Sequence, residues 1–297
     1  MSALNHWIRD LIDRRIVVNE NYTEMCSTLL AVYSGFSENV KRESVMSDQP
    51  LEGKVAVVTG ASRGLGRAMA LSLAGAGASI ACVGRDEKML LETKTLVNEI
   101  GTEAEIFVCD VRHEAQVTEL EKNVRDRFGP VHILINNAGT AVRKNLVDFS
   151  LEEWNTVLDT NLTGVFLCSR AFVPHMKTHQ WGRVINMTSI MANVGSAGRS
   201  AYCASKHGVL AITKTMALEH ATDGINVVAI SPGFYKTDLT LPLSSDPAKN
   251  TDLLSNVPLN RWGDPKQIGD IAKFLCTDAA SFITGTDILS DGGWVAR

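Results

Sequence analysis

No stretch of this 297-residue chain approaches the roughly 20 consecutive apolar residues that cross a bilayer, and its longest apolar runs are short and β-like. Leu29 to Val32 is too short for a signal-peptide core, and the first 45 residues mix Asp10, Asp13, Glu20 and Glu24 among their bases, so no targeting signal is expected. There is no block of Lys or Arg either. With 29 basic and 33 acidic residues and a net charge of −4, the chain carries no electrostatic footprint for nucleic acid and no polybasic membrane patch. The six cysteines form no C-x-x-C pair and no zinc spacing, a usage that suits a reducing cytoplasm. Cys82 and Cys109 read as small buried hydrophobes, while Cys203 adjoins Tyr202. Internal repeats, low-complexity segments and linkers rich in Pro, Gly or Ser are missing as well, which argues against a second domain.

What is present, from Leu51 onward, is an alternation of short β-branched runs and longer amphipathic stretches, the pattern of a parallel sheet wrapped by helices. Strands are expected at Val55 to Thr59, Ser79 to Val83, Glu105 to Cys109, Ile133 to Asn136, Val184 to Thr188, Asn226 to Ile230 and Asp287 to Leu289. Helices are expected at Arg67 to Ala76, Glu87 to Ile100, Glu114 to Phe128, Glu152 to His179, Tyr202 to His220 and Pro265 to Cys276. Right-handed crossovers turn this into one α/β domain, a doubly wound Rossmann-type sheet of seven parallel strands flanked by helices. The domain is expected over residues 46–297. Residues 1–45 read as an N-terminal extension whose Trp7, Ile8, Leu11 and Ile12 could form one face of a short helix, docked or loose.

Directly after the first strand stands Thr59-Gly60-Ala61-Ser62-Arg63-Gly64-Leu65-Gly66. Glycines at this spacing let the backbone turn tightly and approach a pyrophosphate, whose charge then sits at the amide-rich N-terminus of the following helix. A tight strand-to-helix turn needs glycine even without a ligand. The second strand ends Cys82-Val83-Gly84-Arg85-Asp86, with Gly84 where an acid would hold a ribose 2′-hydroxyl. Arg85 and Arg63 are suited to a 2′-phosphate, so NADP(H) is favoured over NAD(H). The alternatives are that both arginines are solvated and Asp86 only caps a helix, or that Asp86 holds the ribose, which would restore NAD.

Tyr202 and Lys206 lie four residues apart in Ser200-Ala201-Tyr202-Cys203-Ala204-Ser205-Lys206, with Ser189 upstream. A phenol titrates near ~10, so a tyrosine acting at neutral pH needs a fixed cation beside it. Residues i and i+4 share a helix face, which suits Lys206 to that task.

With the glycine turn, Asn136-Asn137-Ala138-Gly139, Ser189, the Y-x-x-x-K pair and Pro232-Gly233 in order, residues 51–297 resemble the short-chain dehydrogenase/reductase family. The resemblance implies that Tyr202 exchanges a proton with a carbonyl or alcohol and that Ser189 orients the substrate oxygen. It gives Lys206 two tasks, binding the nicotinamide ribose and stabilising the tyrosinate, and gives Asn161 a helix kink and a proton-relay water. It puts Gly60, Ser62, Arg63, Gly64, Leu65 and Gly66 at the pyrophosphate, Asp110 and Val111 near the adenine, and Asn137, Ala138 and Gly139 along the cofactor. Pro232, Gly233 and Thr237 fall at the nicotinamide end, with Thr237 on the carboxamide. A homotetramer packed through the helices around Glu152 to His179 and Tyr202 to His220 is also implied. His175 and His179 could pair at a metal, but no third ligand is evident, and a surface or interface face is the simpler reading.

The segment Phe234 to Asn260 contains Pro242, Pro247 and Pro258 and reads as a loop-helix lid that carries substrate specificity. Phe234-Tyr235-Lys236-Thr237, Arg261-Trp262-Gly263-Asp264-Pro265 and Asp291-Gly292-Gly293-Trp294 look like gluconate 5-dehydrogenases and deoxygluconate dehydrogenases. A small sugar acid would need a cation, and Arg143, Lys144, Arg199 and Lys236 lie in segments that could border the pocket. The alternatives are a 3-oxoacyl-thioester reductase of the acyl-carrier-protein type and a catalytically silent dinucleotide-binding regulator.

Overall fold

The computed structural model describes residues 49–238 and 240–296, so the expected extension over residues 1–45 lies outside the described residues. Seven strands form one parallel sheet: β1 (Val55–Thr59), β2 (Ser79–Gly84), β3 (Ala104–Val108), β4 (Ile133–Asn136), β5 (Gly182–Met187), β6 (Ile225–Pro232) and β7 (Asp287–Ser290). Their order across the sheet is β3-β2-β1-β4-β5-β6-β7. The expected α/β architecture with seven parallel strands therefore holds.

Both faces of the sheet are covered, which is why β1 is buried throughout and apolar up to Thr59 at its carboxyl end. Alternate residues of that strand feed opposite cores. Ala56 and Val58 join Met69 and Leu73 of α1 (Gly64–Ala74), Leu90 of α2 (Glu87–Glu99) and Ile268 and Ala272 of the C-terminal helix Pro265–Leu275. Val55 and Val57 face the other way, toward Val117 and Leu120 of α3 (Glu114–Phe128) and toward Phe172 and Met176 further along the chain.

The helix expected over Glu152 to His179 is interrupted. It consists of α4 (Leu151–Leu158), a π turn (Asp159–Thr163) and α5 (Gly164–His179), and the Gly164 N–H reaches back to Asp159 O across the turn. One extra residue in a turn rotates whatever it carries, and here it carries Asn161. The next long helix is α6 (Ser200–Glu219), followed by the short α7 (Leu241–Ser244), α8 (Pro247–Ser255) and α9 (Pro265–Leu275). Pro242 and Pro247 stand at helix starts, where a missing N–H costs nothing.

Strand order reverses between β1 and β4, from which the crossovers run in opposite directions. The crevice beyond the carboxyl ends of those two strands is where such sheets bind ligands. Among the described residues no helix is long and apolar enough to cross a membrane.

Candidate active site

The glycine turn leaves β1 through Gly60 at φ +66° and Gly64 at φ +56°, conformations that residues with side chains rarely adopt. A Cβ on Gly66 would stand 2.1 Å from Gly60 O, so the first turn of α1 can close on the strand end only without one. Asn137 Nδ2 donates to Thr59 O at 2.9 Å and Gly60 O at 3.2 Å. Thr59 Oγ1 accepts the N–H groups of Asn137 and Ala138, at 2.9 and 3.0 Å. These bonds tie the two strand ends into one floor. From behind, Arg67 donates to Ser62 O at 2.5 Å and to Thr93 Oγ1 at 2.9 Å.

Arg63, the N-cap of α1, supplies no side-chain cap, and the first turn holds no acid. Helix-terminal amides left this way offer their N–H groups and a positive dipole to an anion, and the donor set fits the pyrophosphate of a dinucleotide. Thr237 faces the turn from the lid side, its Cγ2 3.5 Å from where a Gly64 Cβ would be.

At the end of β2, Arg85 is two-thirds exposed with Nη1 3.9 Å from Asp110 Oδ2, and Arg63 is exposed. Asp86 is committed elsewhere: its Oδ1 accepts the Met89 N–H at 3.1 Å as the N-cap of α2. The strand end is thus left to Gly84 and Arg85. Asp110 is bound through both oxygens to Arg112, closest at 2.6 Å to Nη2, and that bond holds its carboxyl below the usual range against the opposing effect of burial. Val111 packs against Gly164, whose missing Cβ would lie 2.8 Å from it.

Ser189 follows β5 and opens a short 3₁₀ turn (Ile190–Ala192), its Oγ accepting the Met191 N–H at 3.2 Å. Tyr202 stands in the first turn of α6. Burial pushes its phenol up, while a hydrogen bond with Ser189 and the charge of Arg199 pull it down, and burial wins. Lys206 is one helical turn further on, buried, with Nζ donating to Met187 O at 2.7 Å and lying 5.7 Å from the Tyr202 ring centroid. Desolvation brings its ammonium down to about 8. The structure brings Ser189, Tyr202 and Lys206 together and adds a second cation to the phenol: Arg199, with Cζ 5.9 Å from the ring centroid, stands about as near as Lys206 Nζ, which is also bonded to the carbonyl at the end of β5.

Asn161 is fully buried on the π turn. Its Nδ2 donates to Thr140 O and Ser205 Oγ, both at 3.0 Å, and its Oδ1 accepts the Thr140 N–H at 2.8 Å. Ser205 Oγ in turn donates to Tyr202 O at 2.7 Å. Asn161 therefore clamps the loop after β4 to the helix bearing Tyr202, and Gly139 lies next to both Asn161 Oδ1 and Lys206 Nζ.

Sequence reasoning passed over the layer beneath Ser189. Ser231 Oγ stands 3.0 Å from Ser189 O and 2.8 Å from Asp287 Oδ2, the two acceptors open to its one proton, and Thr188 Oγ1 meets Ser231 Oγ at 2.8 Å. Thr188 and Ser189 are neighbours, but Ser231 and Asp287 lie far along the chain and form no motif with them; only the β5-β6-β7 register joins the set. At the mouth, Phe234 meets Trp262 and Trp294 edge-on, with centroids 6.2 Å apart in each pair. Trp262 Nε1 donates to Asn250 Oδ1 at 2.6 Å, which fastens α8 of the lid segment. Pro232 ends β6 in the interior, and Gly233 passes so close to Asp291 that a Cβ would lie 2.7 Å from its Cα. His175 is bonded to Glu121 at 2.6 Å and to the Val131 N–H, and His179 stacks on His132.

Residues 60–295 match the family profile described as enoyl-(acyl carrier protein) reductase. A 3-oxoacyl-[acyl-carrier-protein] reductase from Synechocystis sp. is 40% identical over 249 residues, 82% of this chain and 98% of that protein. Among solved structures, a gluconate 5-dehydrogenase from Burkholderia cenocepacia J2315 in complex with NADP and tartrate superposes with a TM-score of 0.80 at 32% identity, covering 84% of this chain and 98% of that one. A short-chain type dehydrogenase/reductase from Mycobacterium marinum gives 0.80 at 34% identity over 86% and 100% of the two chains.

Proposed function

Because the chain belongs to the short-chain dehydrogenase/reductase family, we propose that it is an NADP(H)-dependent oxidoreductase interconverting a secondary alcohol and a ketone on a small sugar acid or related hydroxy/keto acid. The observation that carries this reading is the gathering of Tyr202, Ser189 and the buried Lys206, whose Nζ lies 5.7 Å from the Tyr202 ring centroid, with Ser189 acting on the phenol against its burial. Gly60, Ser62, Arg63, Gly64, Leu65 and Gly66 are proposed to hold the pyrophosphate, and Arg85 with Arg63 the 2′-phosphate. Asp110 and Val111 would border the adenine, with Asn137, Ala138, Gly139, Pro232, Gly233 and Thr237 lining the remainder. The cofactor, when bound, supplies or accepts the hydride at the reacting carbon.

The chain's own groups manage the proton and the orientation. In reduction the Tyr202 O–H gives its proton to the substrate oxygen, and in oxidation the phenolate takes it back. Ser189 donates to the same oxygen and fixes its distance from the phenol. A proton shuttled this way is worth roughly 100- to 10,000-fold in rate. Lys206, held by Met187 O, is proposed to reach the nicotinamide ribose, and Asn161 holds the Tyr202 helix against the loop after β4.

The acidic substrate is supported by the Burkholderia neighbour, which carries NADP and tartrate. A 3-oxoacyl-thioester reductase is the second reading, favoured by the Synechocystis relative. A turnover screen decides between them: NADP(H) and NAD(H) with D-gluconate, its keto forms and short 3-oxoacyl thioesters. Oxidation of the sugar acids with NADP is expected. Reduction of the thioesters alone would replace the substrate class, and NADPH binding without any turnover would sink the enzymatic reading.

A homotetramer is proposed as well. The groove between α5 and α6 holds about 520 Å³ and is lined by Phe166, Val173, Ile212 and Met216 among others, with Phe166 nearly half exposed. An apolar groove on two long helices suits a second copy. Light scattering at the monomer mass would remove this proposal.

A further inference from the structure

Lys144, Lys236, Arg143 and Arg199 were the cations in reach of the pocket, and the structure separates them. Lys144 Nζ is engaged by Glu153 Oε1 at 2.5 Å. Lys236 is exposed on the lid segment. Arg199 is half-buried immediately before α6, with Cζ 5.9 Å from the Tyr202 ring centroid. Among the described residues no acid pairs with its guanidinium, and the charges that bear on it include another cation, Arg143. The backbone builds this convergence. Gly198, at φ +72°, accepts the Lys144 N–H through its carbonyl at 3.1 Å, and Lys144 bridges Arg199 in parallel, which lays the segment carrying Arg143 along the one carrying Arg199.

Arg199, partly desolvated over the ring of the catalytic phenol and repelled by the exposed Arg143 carried on the adjoining segment, gains when an anion joins it. Burying a cation without a partner costs free energy that a bidentate carboxylate returns. The position also fixes where that anion must be. A group held by Arg199 while the reacting carbon meets Tyr202 can be only a few carbons from that carbon. The 2′-phosphate of the cofactor is served by Arg85 and Arg63 at the far end of the crevice, beyond β2, and so is a different demand.

We infer that Arg199, assisted by Arg143, forms a substrate carboxylate subsite beside Tyr202, so that the enzyme selects small hydroxy or keto acids whose carboxylate lies close to the carbon oxidised. This rests on Tyr202 being the acid–base residue. Specificity is thereby set in part by the residue three positions before the tyrosine, not by the lid alone.

The test is equilibrium binding to the full chain in the presence of NADP⁺, by calorimetry, with D-gluconate, its uncharged counterpart D-glucitol and inorganic phosphate as titrants. Wild type is expected to bind D-gluconate at least about tenfold more tightly than D-glucitol, the worth of a single charge-assisted pair at roughly 1.4 kcal/mol per decade. Arg199→Gln should erase that preference while leaving NADP⁺ affinity unchanged, Arg199→Lys should restore part of it, and Arg143→Gln should weaken it less than Arg199→Gln does. An Arg199→Gln protein that keeps the gluconate preference, or a wild type that shows none, overturns the subsite. Tighter binding of inorganic phosphate than of D-gluconate would reassign it to phosphoesters and overturn the carboxylate assignment. These outcomes are separable from the proposed reaction: an enzyme that turns over neutral ketones or thioesters without any carboxylate preference keeps the chemistry and loses the subsite.

Discussion

Tyr202 sits in surroundings that on balance raise its phenol, with burial outweighing Ser189 and Arg199. A phenol so placed is a proton donor in the free protein, ready for the reductive direction, and needs its neighbours to become a base. Tyr202→Phe removes the proton and keeps the ring, so turnover should fall roughly 100- to 10,000-fold while NADPH affinity, read by fluorescence titration, barely moves. Activity kept by that variant would refute the acid–base assignment. At the other end of the crevice, Arg85 is two-thirds exposed and only loosely paired, which limits its worth to about 1 kcal/mol. Arg85→Ala should weaken NADPH roughly fivefold and leave NADH unchanged; equal losses for the two cofactors would discard the 2′-phosphate role.

Elements position these side chains, and two of them do so at close tolerance. The glycine turn works because Gly66 can touch Gly60 O, and Gly66→Ala would push a methyl group to 2.1 Å from that oxygen. Opening the turn separates the amides from the anion they would share, so NADPH affinity should drop by well over tenfold with the far-ultraviolet dichroism preserved. Unaltered binding would show that the turn does not contact the cofactor. The π turn is the second such element. Asn161→Ala strips the Thr140 N–H and C=O of their partners, at roughly 1–3 kcal/mol. The melting temperature should fall by about 2–4 °C per kcal/mol for a domain of this size, and an unshifted melting curve would mean that water replaces the clamp. Periodicity drew one continuous helix here because α4, the π turn and α5 share a direction. A single added residue leaves the apolar pattern nearly intact, so periodicity did not show the bulge that aims Asn161; only the family resemblance gave that residue a helix kink.

At the scale of the whole molecule, the sheet and the helices that cover it bury Cys82, Cys109, Cys168 and Cys276 and set their chemistry. Burial pushes the thiols of Cys82, Cys168 and Cys276 up to about 12 and that of Cys109 up to about 11, from 9.0. Above pH 9 the unfolded chain sheds these protons while the native one keeps them, so native stability falls as pH rises from about 9 toward 12. Lys206 opposes this, since its native form is deprotonated from about 8 while the unfolded lysine holds its proton to 10.5; it stands against the four thiols and the raised phenols of Tyr202 and Tyr235. Guanidinium unfolding under reducing conditions should show the midpoint dropping between pH 9 and 11, and a flat profile would contradict the burial of the thiols. The same enclosure explains why the alternation of apolar runs read so well: strands covered on both faces must be apolar throughout, and helices that cover them must be amphipathic.

The sequence by itself determined the seven-stranded α/β architecture, the glycine turn and the Tyr202–Lys206 spacing, because each is a local pattern: periodicity, a run of backbone-permissive residues, and one helical turn. Only the tertiary structure decided how charge is distributed around the phenol. Arg199 reaches Tyr202 through the end of a helix and a bridge to a distant loop, Lys206 is drawn to a carbonyl at the end of β5, and Asp86 is spent on a helix cap. Electrostatic partners depend on distance and desolvation in three dimensions, and neither is written in residue spacing.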